Sequence, residues 1–192
     1  MHSTEHELLD AFAAPACAIC TLTAGAGRGY LRGVLNDGVN DVRLRDDWRR
    51  RGGLCADHWR RWRGLESPAL STSILARDLL AAALDAPPTA APRCRACEVE
   101  GDAERRYLGA LRRLPAAALA AALTEGRGFA CLRHVRALPD GERRALLATR
   151  LASLLDDLDT FVRLSDHRSA DQPKGSSGDA WLRALRAFGA EV

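Results

Sequence analysis

The segment APRCRACEVEGDAERRYLGALRRLPAAALAAALTEGRGFACLRH (residues 91–134) sets the reading of the whole chain. It opens on Pro-x-Cys-x2-Cys and closes on Cys-x2-His, with two helix-length stretches between. The stretch after Cys97 reads as a helix as far as Leu114. A second helix starts with Pro115 at a first-turn position and stops at the glycines that follow Glu125. Two antiparallel helices of three to four turns travel out and back by roughly 20 Å. The pattern therefore predicts that Cys131 and His134 return beside Cys94 and Cys97.

The same layout stands earlier in the chain. APACAIC (14–20) supplies Cys17 and Cys20, and CADH (55–58) supplies Cys55 and His58. Other landmarks keep register: Pro15 with Pro92, Tyr30-Leu31 with Tyr107-Leu108, and Arg51-Gly52 with Arg127-Gly128. The chain reads as an internal duplication with a period of about 77 residues, too long for a solenoid repeat and suited to two copies. Gly25, Gly27 and Gly29 are expected to weaken the first helix of the earlier copy.

All six cysteines are used by this pattern. Residues three apart share a helix face or the inside of a tight turn, so each pair aims two ligands at one point. Three thiolates and one imidazole form a closed tetrahedral set for zinc. The expected sites are Cys17, Cys20, Cys55 and His58 in one copy and Cys94, Cys97, Cys131 and His134 in the other. Exchanging the Cys-x2-His units between copies satisfies both metals equally. Four protein ligands leave no open coordination position, so the two zinc ions per chain read as structural. Arg51 and Arg127, four residues before the third cysteine of each set, are placed to offset the negative charge of three thiolates around Zn²⁺. An iron–sulfur cluster is the alternative occupant, although such clusters more often use closely grouped cysteines.

The totals agree with a helical protein. Of 192 residues, 47% are hydrophobic but only 5% aromatic, and the apolar mass is mostly Ala and Leu, which favour helix. The fold class is all-α: two repeated helical units, each with a Cys3His metal site, and a short C-terminal helix. The boundaries read as 1–86, 87–168 and 169–192. Amphipathic helices follow each Cys-x2-His, one with Leu70, Ile74, Leu75, Leu79, Leu80 and Leu84, the other with Leu147, Leu151, Leu154, Leu158 and Phe161. Both stripes read as core packing. Trp181, Leu182, Leu185 and Phe188 mark the final helix.

The formal charge of +3 is too small to imply nucleic acid by itself. No apolar run approaches the roughly 18 residues of a membrane span, and acidic residues replace the basic start of a signal peptide. The assignment is cytoplasmic with no membrane partner, a compartment in which thiols stay reduced and a cysteine pattern points to metal or redox chemistry. Between Arg43 and Arg63, Trp48, Trp59 and Trp62 interleave with arginines, so this segment is the expected contact surface for a protein partner and a conceivable one for nucleic acid. GAGRG (25–29) lacks the strand and the Lys-Ser/Thr of a phosphate loop. TEHE (4–7) reads as a capping box, and His2 and His6 carry no signal. No catalytic arrangement emerges from spacing.

The Pro-x-Cys-x2-Cys start, the Tyr-Leu ten residues on, the Arg-Gly-x2-Cys-x2-His and a late Phe161, Val162, Arg163, Asp166, Arg168 pattern before Trp181 together resemble a prokaryotic family. That family is catalogued as a domain of unknown function. The resemblance covers most of the chain and implies an all-helical, cysteine-rich protein with no assigned activity. The chain departs from it at His167, where the family carries an aromatic residue, and in its glycine-rich first helix. The function expected is a zinc-binding scaffold, adaptor or regulatory binding protein. Two alternatives stand: an iron–sulfur or thiol-based redox protein or sensor, and an enzyme with a pocket between the repeats lined by Tyr30, Tyr107, Asp166, His167 and Arg168.

Overall fold

The computed structural model describes residues 3–66, 68–85, 93–165 and 172–189. Ser67, the 86–92 linker with Pro92, and Asp166, His167 and Arg168 lie outside them. Among the described residues there are ten α-helices and no strand: α1 Ser3–Ala11, α2 Ala18–Asn36, α3 Val42–Arg51, α4 Ala56–Arg63, α5 Ala69–Asp85, α6 Arg95–Arg113, α7 Ala116–Glu125, α8 Leu132–Arg136, α9 Glu142–Leu164 and α10 Ala180–Ala187. The all-α expectation holds. None of these helices is long and apolar enough to cross a membrane.

Local chemistry sets the helix ends. Asp41 caps α3, its carboxylate accepting from the backbone N–H of Arg43 and Leu44, and Gly52 ends that helix at φ 72°. α2 runs unbroken through Gly25, Gly27 and Gly29, so the expected weakening does not interrupt the helix, and GAGRG is helical rather than a loop. Thr4 and Glu7 lie inside α1, which already includes Ser3, so TEHE does not form its cap.

The chain forms two compact units, Met1–Leu22 with Glu104–Val192 and Thr23–Ala103. The division falls within α2 and within α6, not at the 86/87 boundary expected from the repeat. In the first unit α9 packs against α7, α8 and α10, and α1 against α7. Leu8, Phe12, Ile19, Leu111, Leu114, Leu119 and Leu147 are fully buried there. In the second, α3 packs on α5 over Leu31, Val34, Leu54 and Leu75. Trp48, Trp59 and Trp62 meet edge to face with ring centroids 5.9–6.2 Å apart, which adds to the area they bury. Trp48 and Trp62 are both buried, so they are core residues and present no stacking face to a base. The α5 stripe divides: Leu75 is buried, but Leu70, Leu80 and Leu84 are exposed.

Candidate metal centres

All eight residues singled out by the sequence fall into two clusters. One, here the outer centre because its residues flank those of the other in sequence, joins Cys17, Cys20, Cys131 and His134. The inner centre joins Cys55, His58, Cys94 and Cys97. In each, one donor atom per residue lies within 4.8 Å of the other three, and each group can hold a metal ion. The Cys-x2-His units are therefore exchanged: each completes the Cys-x2-Cys pair of the other copy. The helices of each copy are also unequal: α2 and α6 have 19 residues each, whereas α3 and α7 have 10, so the two legs of similar length expected from the sequence are not found.

Every ligand pair sits at a helix start. Cys55 and Cys131 are the N-cap residues of α4 and α8. Cys17 and Cys94 directly precede α2 and α6, their carbonyls accepting from the N–H of Thr21 and Glu98. Two helix N-termini thus face each centre and favour negative charge on sulfur. In both, a backbone N–H also reaches the first cysteine: Cys131 donates to Cys17 Sγ at 3.2 Å, and the backbone of Cys55 serves Cys94 in the same way.

The donor atoms converge. In the outer centre His134 Nδ1 lies 3.3, 3.7 and 3.1 Å from the sulfurs of Cys17, Cys20 and Cys131, and Cys20 Sγ is 3.9 Å from Cys131 Sγ. In the inner centre His58 Nδ1 lies 3.1, 3.4 and 3.5 Å from Cys55, Cys94 and Cys97. The Cys94–Cys97 and Cys55–Cys97 sulfur separations are 3.5 and 3.8 Å. All six cysteines are free thiols. Sulfurs this close cannot all ionise unless a cation balances them. Hydrogen bonds from Cys17 and Cys20 hold the Cys131 thiol far below its ordinary value, and contacts with Cys131 and Cys17 drive Cys20 far above it. Burial and the neighbouring thiols push Cys97 up to about 12. For His134 burial acts downward, but hydrogen bonds to Cys131 and Cys17 outweigh it and raise the imidazole to about 10. The donor set is thus built for a positive ion.

Each histidine turns its far nitrogen to a carboxylate. His134 Nε2 is 2.9 Å from Glu104 Oε1, and His58 Nε2 is 3.3 Å from Glu100 Oε2. Arginines hold the carboxylates: Arg133 lies 3.2 Å from Glu104 and Arg61 lies 2.6 Å from Glu100. In the outer centre, with Nδ1 toward the sulfurs, His134 Nε2 carries the proton and donates it to Glu104, which fixes ring orientation and raises ligand basicity; His58 Nε2 approaches Glu100 without making that bond. Glu100 and Glu104, both on α6, are the residues that sequence reasoning missed. Their signal was the Cys97, Glu100, Glu104 spacing of one helix face, hidden because the first copy carries Thr23 and Gly27 at the matching positions. Gly27 has its own role: a Cβ there would collide with the Glu100 carboxylate.

The remaining expected residues lie elsewhere. Arg51 binds Glu98, Asp47 and the Arg93 carbonyl, and Arg127 binds Asp179 and the Ser176 carbonyl; the arginines that pair with the carboxylates beside the histidines are Arg61 and Arg133. The Tyr30 hydroxyl accepts from Trp48 Nε1 at 2.9 Å, and the Tyr107 hydroxyl donates to Glu7 at 2.7 Å. Asp166, His167 and Arg168 are outside the described residues. Comparison with known proteins finds no matching family model, no matching curated protein and no matching solved structure.

Proposed function

We propose that this is a zinc protein with two structural Cys3His centres, acting as a scaffold, adaptor or regulatory binding protein. The observation that carries the reading is the spacing of the donor atoms. Around one tetrahedral zinc, bond lengths near 2.3 Å to sulfur and 2.0 Å to nitrogen give edges of about 3.8 Å between sulfurs and about 3.6 Å between sulfur and nitrogen. The sulfur separations of 3.5–3.9 Å and the sulfur–nitrogen separations of 3.1–3.7 Å match a single small ion. An iron–sulfur cluster spreads its protein ligands over several irons and needs them farther apart.

Four protein ligands close each site to substrate, which argues for structure over catalysis. Zinc bound there ties four helix starts together, and its binding energy is folding energy. Three thiolates and Zn²⁺ sum to −1; the positive ends of the helix N-termini offset that charge, and each Arg–Glu pair beside a histidine is itself neutral. Function then resides in the surface that the metals hold in shape. The exposed apolar residues Leu80 and Leu84 on α5, and Trp181, Leu185 and Phe188 at α10, are groups a protein partner would cover.

The test is elemental analysis with an absorption spectrum on anaerobically purified protein. The reading expects about two zinc per chain and no visible band. Iron with acid-labile sulfide and a broad visible band would overturn it in favour of electron transfer or redox sensing.

A further inference from the structure

The two centres share a donor set but not its surroundings, and three independent differences point the same way. The first is access. In the outer centre Cys17, Cys131 and His134 are buried, leaving Cys20 as the one partly exposed donor; in the inner centre both Cys55 and Cys97 are partly exposed. Their sulfurs are 3.8 Å apart, so two neighbouring donors of the inner centre belong to partly exposed residues and only one donor of the outer centre does. A bidentate competitor needs two adjacent positions to displace a ligand without releasing the ion.

The second difference is how the ligand-bearing segments are held. In the outer centre residues 12–18 and 126–129 are laced by backbone hydrogen bonds: Gly128 N–H to Phe12 at 2.7 Å, Arg127 to Ala13 at 3.3 Å, Phe129 to Ala16 at 3.1 Å and Ala18 to Phe129 at 2.9 Å. Arg150 donates to the Gly126 and Gly128 carbonyls, and Arg186 to that of Pro15. In the inner centre the matching N–H groups of Gly52 and Gly53 bond instead to the Arg49 and Trp48 carbonyls of their own helix, and Arg51 reaches Glu98 and the Arg93 carbonyl. The third difference is the histidine. His134 Nε2 is hydrogen-bonded to Glu104, whereas His58 Nε2 is buried and makes no hydrogen bond, its 3.3 Å approach to Glu100 being out of line.

Resting on the metal-centre reading above, we infer that the inner centre is exchangeable and the outer centre permanent. A bidentate dithiol or pyridyl competitor removes the Cys55–His58–Cys94–Cys97 ion first, through the partly exposed Cys55–Cys97 pair, and leaves the outer ion in place. The inner centre then suits metal transfer to an acceptor presenting two adjacent donors. The outer centre suits permanent anchoring of the start of α2 to the start of α8.

The experiment follows release of zinc from the full chain to 4-(2-pyridylazo)resorcinol, with zinc content measured at the start. A pulse of N-ethylmaleimide at the half-way point is mapped by mass spectrometry. The expected result is two phases of one equivalent each, separated about tenfold or more in rate, with label on Cys55, Cys94 and Cys97 and none on Cys17, Cys20 and Cys131. Glu104→Gln should speed the slow phase and leave the fast one unchanged. Two equivalents leaving together with label on all six cysteines, or label appearing first on Cys17, Cys20 and Cys131, overturns the inference and leaves the two-zinc reading intact. A chain that holds no zinc at the start overturns both.

Discussion

The outer centre closes a span of 114 residues between Cys17 and Cys131, the inner centre one of 42 between Cys55 and Cys97. Loop-closure entropy makes the longer span costlier by only about 1 kcal/mol. That is small beside the backbone lacing and guanidinium contacts that hold the outer segments, so the longer-range centre is also the better-held one. The comparison teaches that sequence distance does not rank the two sites; the backbone that delivers each ligand does. Glycine makes the lacing possible, since a Cβ on Gly128 would come within 2.5 Å of the Phe12 carbonyl oxygen, and one on Gly126 would collide with the same oxygen.

Removing both metals should have the largest effect, because structural zinc contributes roughly 10–16 kcal/mol of apparent binding energy. A strong chelator should abolish cooperative thermal unfolding by circular dichroism; an unchanged transition would break the account of both centres. Gly128→Ala should cost about 2–3 kcal/mol in denaturant unfolding by forcing the two outer segments apart, and should weaken zinc binding at the outer centre while sparing the inner one.

The carboxylates come next. Glu104→Gln should lower zinc affinity at the outer centre by about 10–100-fold in competition titrations, and Glu100→Gln should lower inner-centre affinity by less, since His58 already lacks an aligned bond. Equal losses would erase the distinction between the two histidines. Gly27→Ala displaces a flexible side-chain end rather than backbone, so it should leave stability within about 1 kcal/mol yet change inner-centre affinity in the direction of Glu100→Gln. Gly33→Ala, also in α2 but with nothing within 4 Å of a new Cβ, should raise stability by about 0.5–1 kcal/mol and leave both metals unaffected.

Much of this was legible in the sequence. The eight clustered residues and the all-helical fold follow from Cys-x2-Cys and Cys-x2-His set among Ala- and Leu-rich stretches; the short helices α4 and α8 that begin at Cys55 and Cys131 were not expected. Ligand pairing was not legible, because the two copies offer chemically identical donors at identical spacings. The carboxylates were missed because they do not repeat. In the inner centre the carboxylate is Glu100, three residues after Cys97, while its counterpart after Cys20 is Thr23. In the outer centre it is Glu104, whose counterpart is Gly27, so each centre has one carboxylate from a different register position. Composition alone did not separate the inward from the outward members of the Arg/Trp segment: Trp48 and Trp62 are buried, and Arg45 and Arg49 pair with Asp78 on α5.

The exchanged pairing is the central claim, and cadmium-113 substituted protein tests it most directly by proton–cadmium correlation spectroscopy. The account predicts two cadmium resonances, one correlated with the β-protons of Cys17, Cys20 and Cys131 and the other with those of Cys55, Cys94 and Cys97. A resonance joining Cys17 and Cys20 to Cys55 would contradict it.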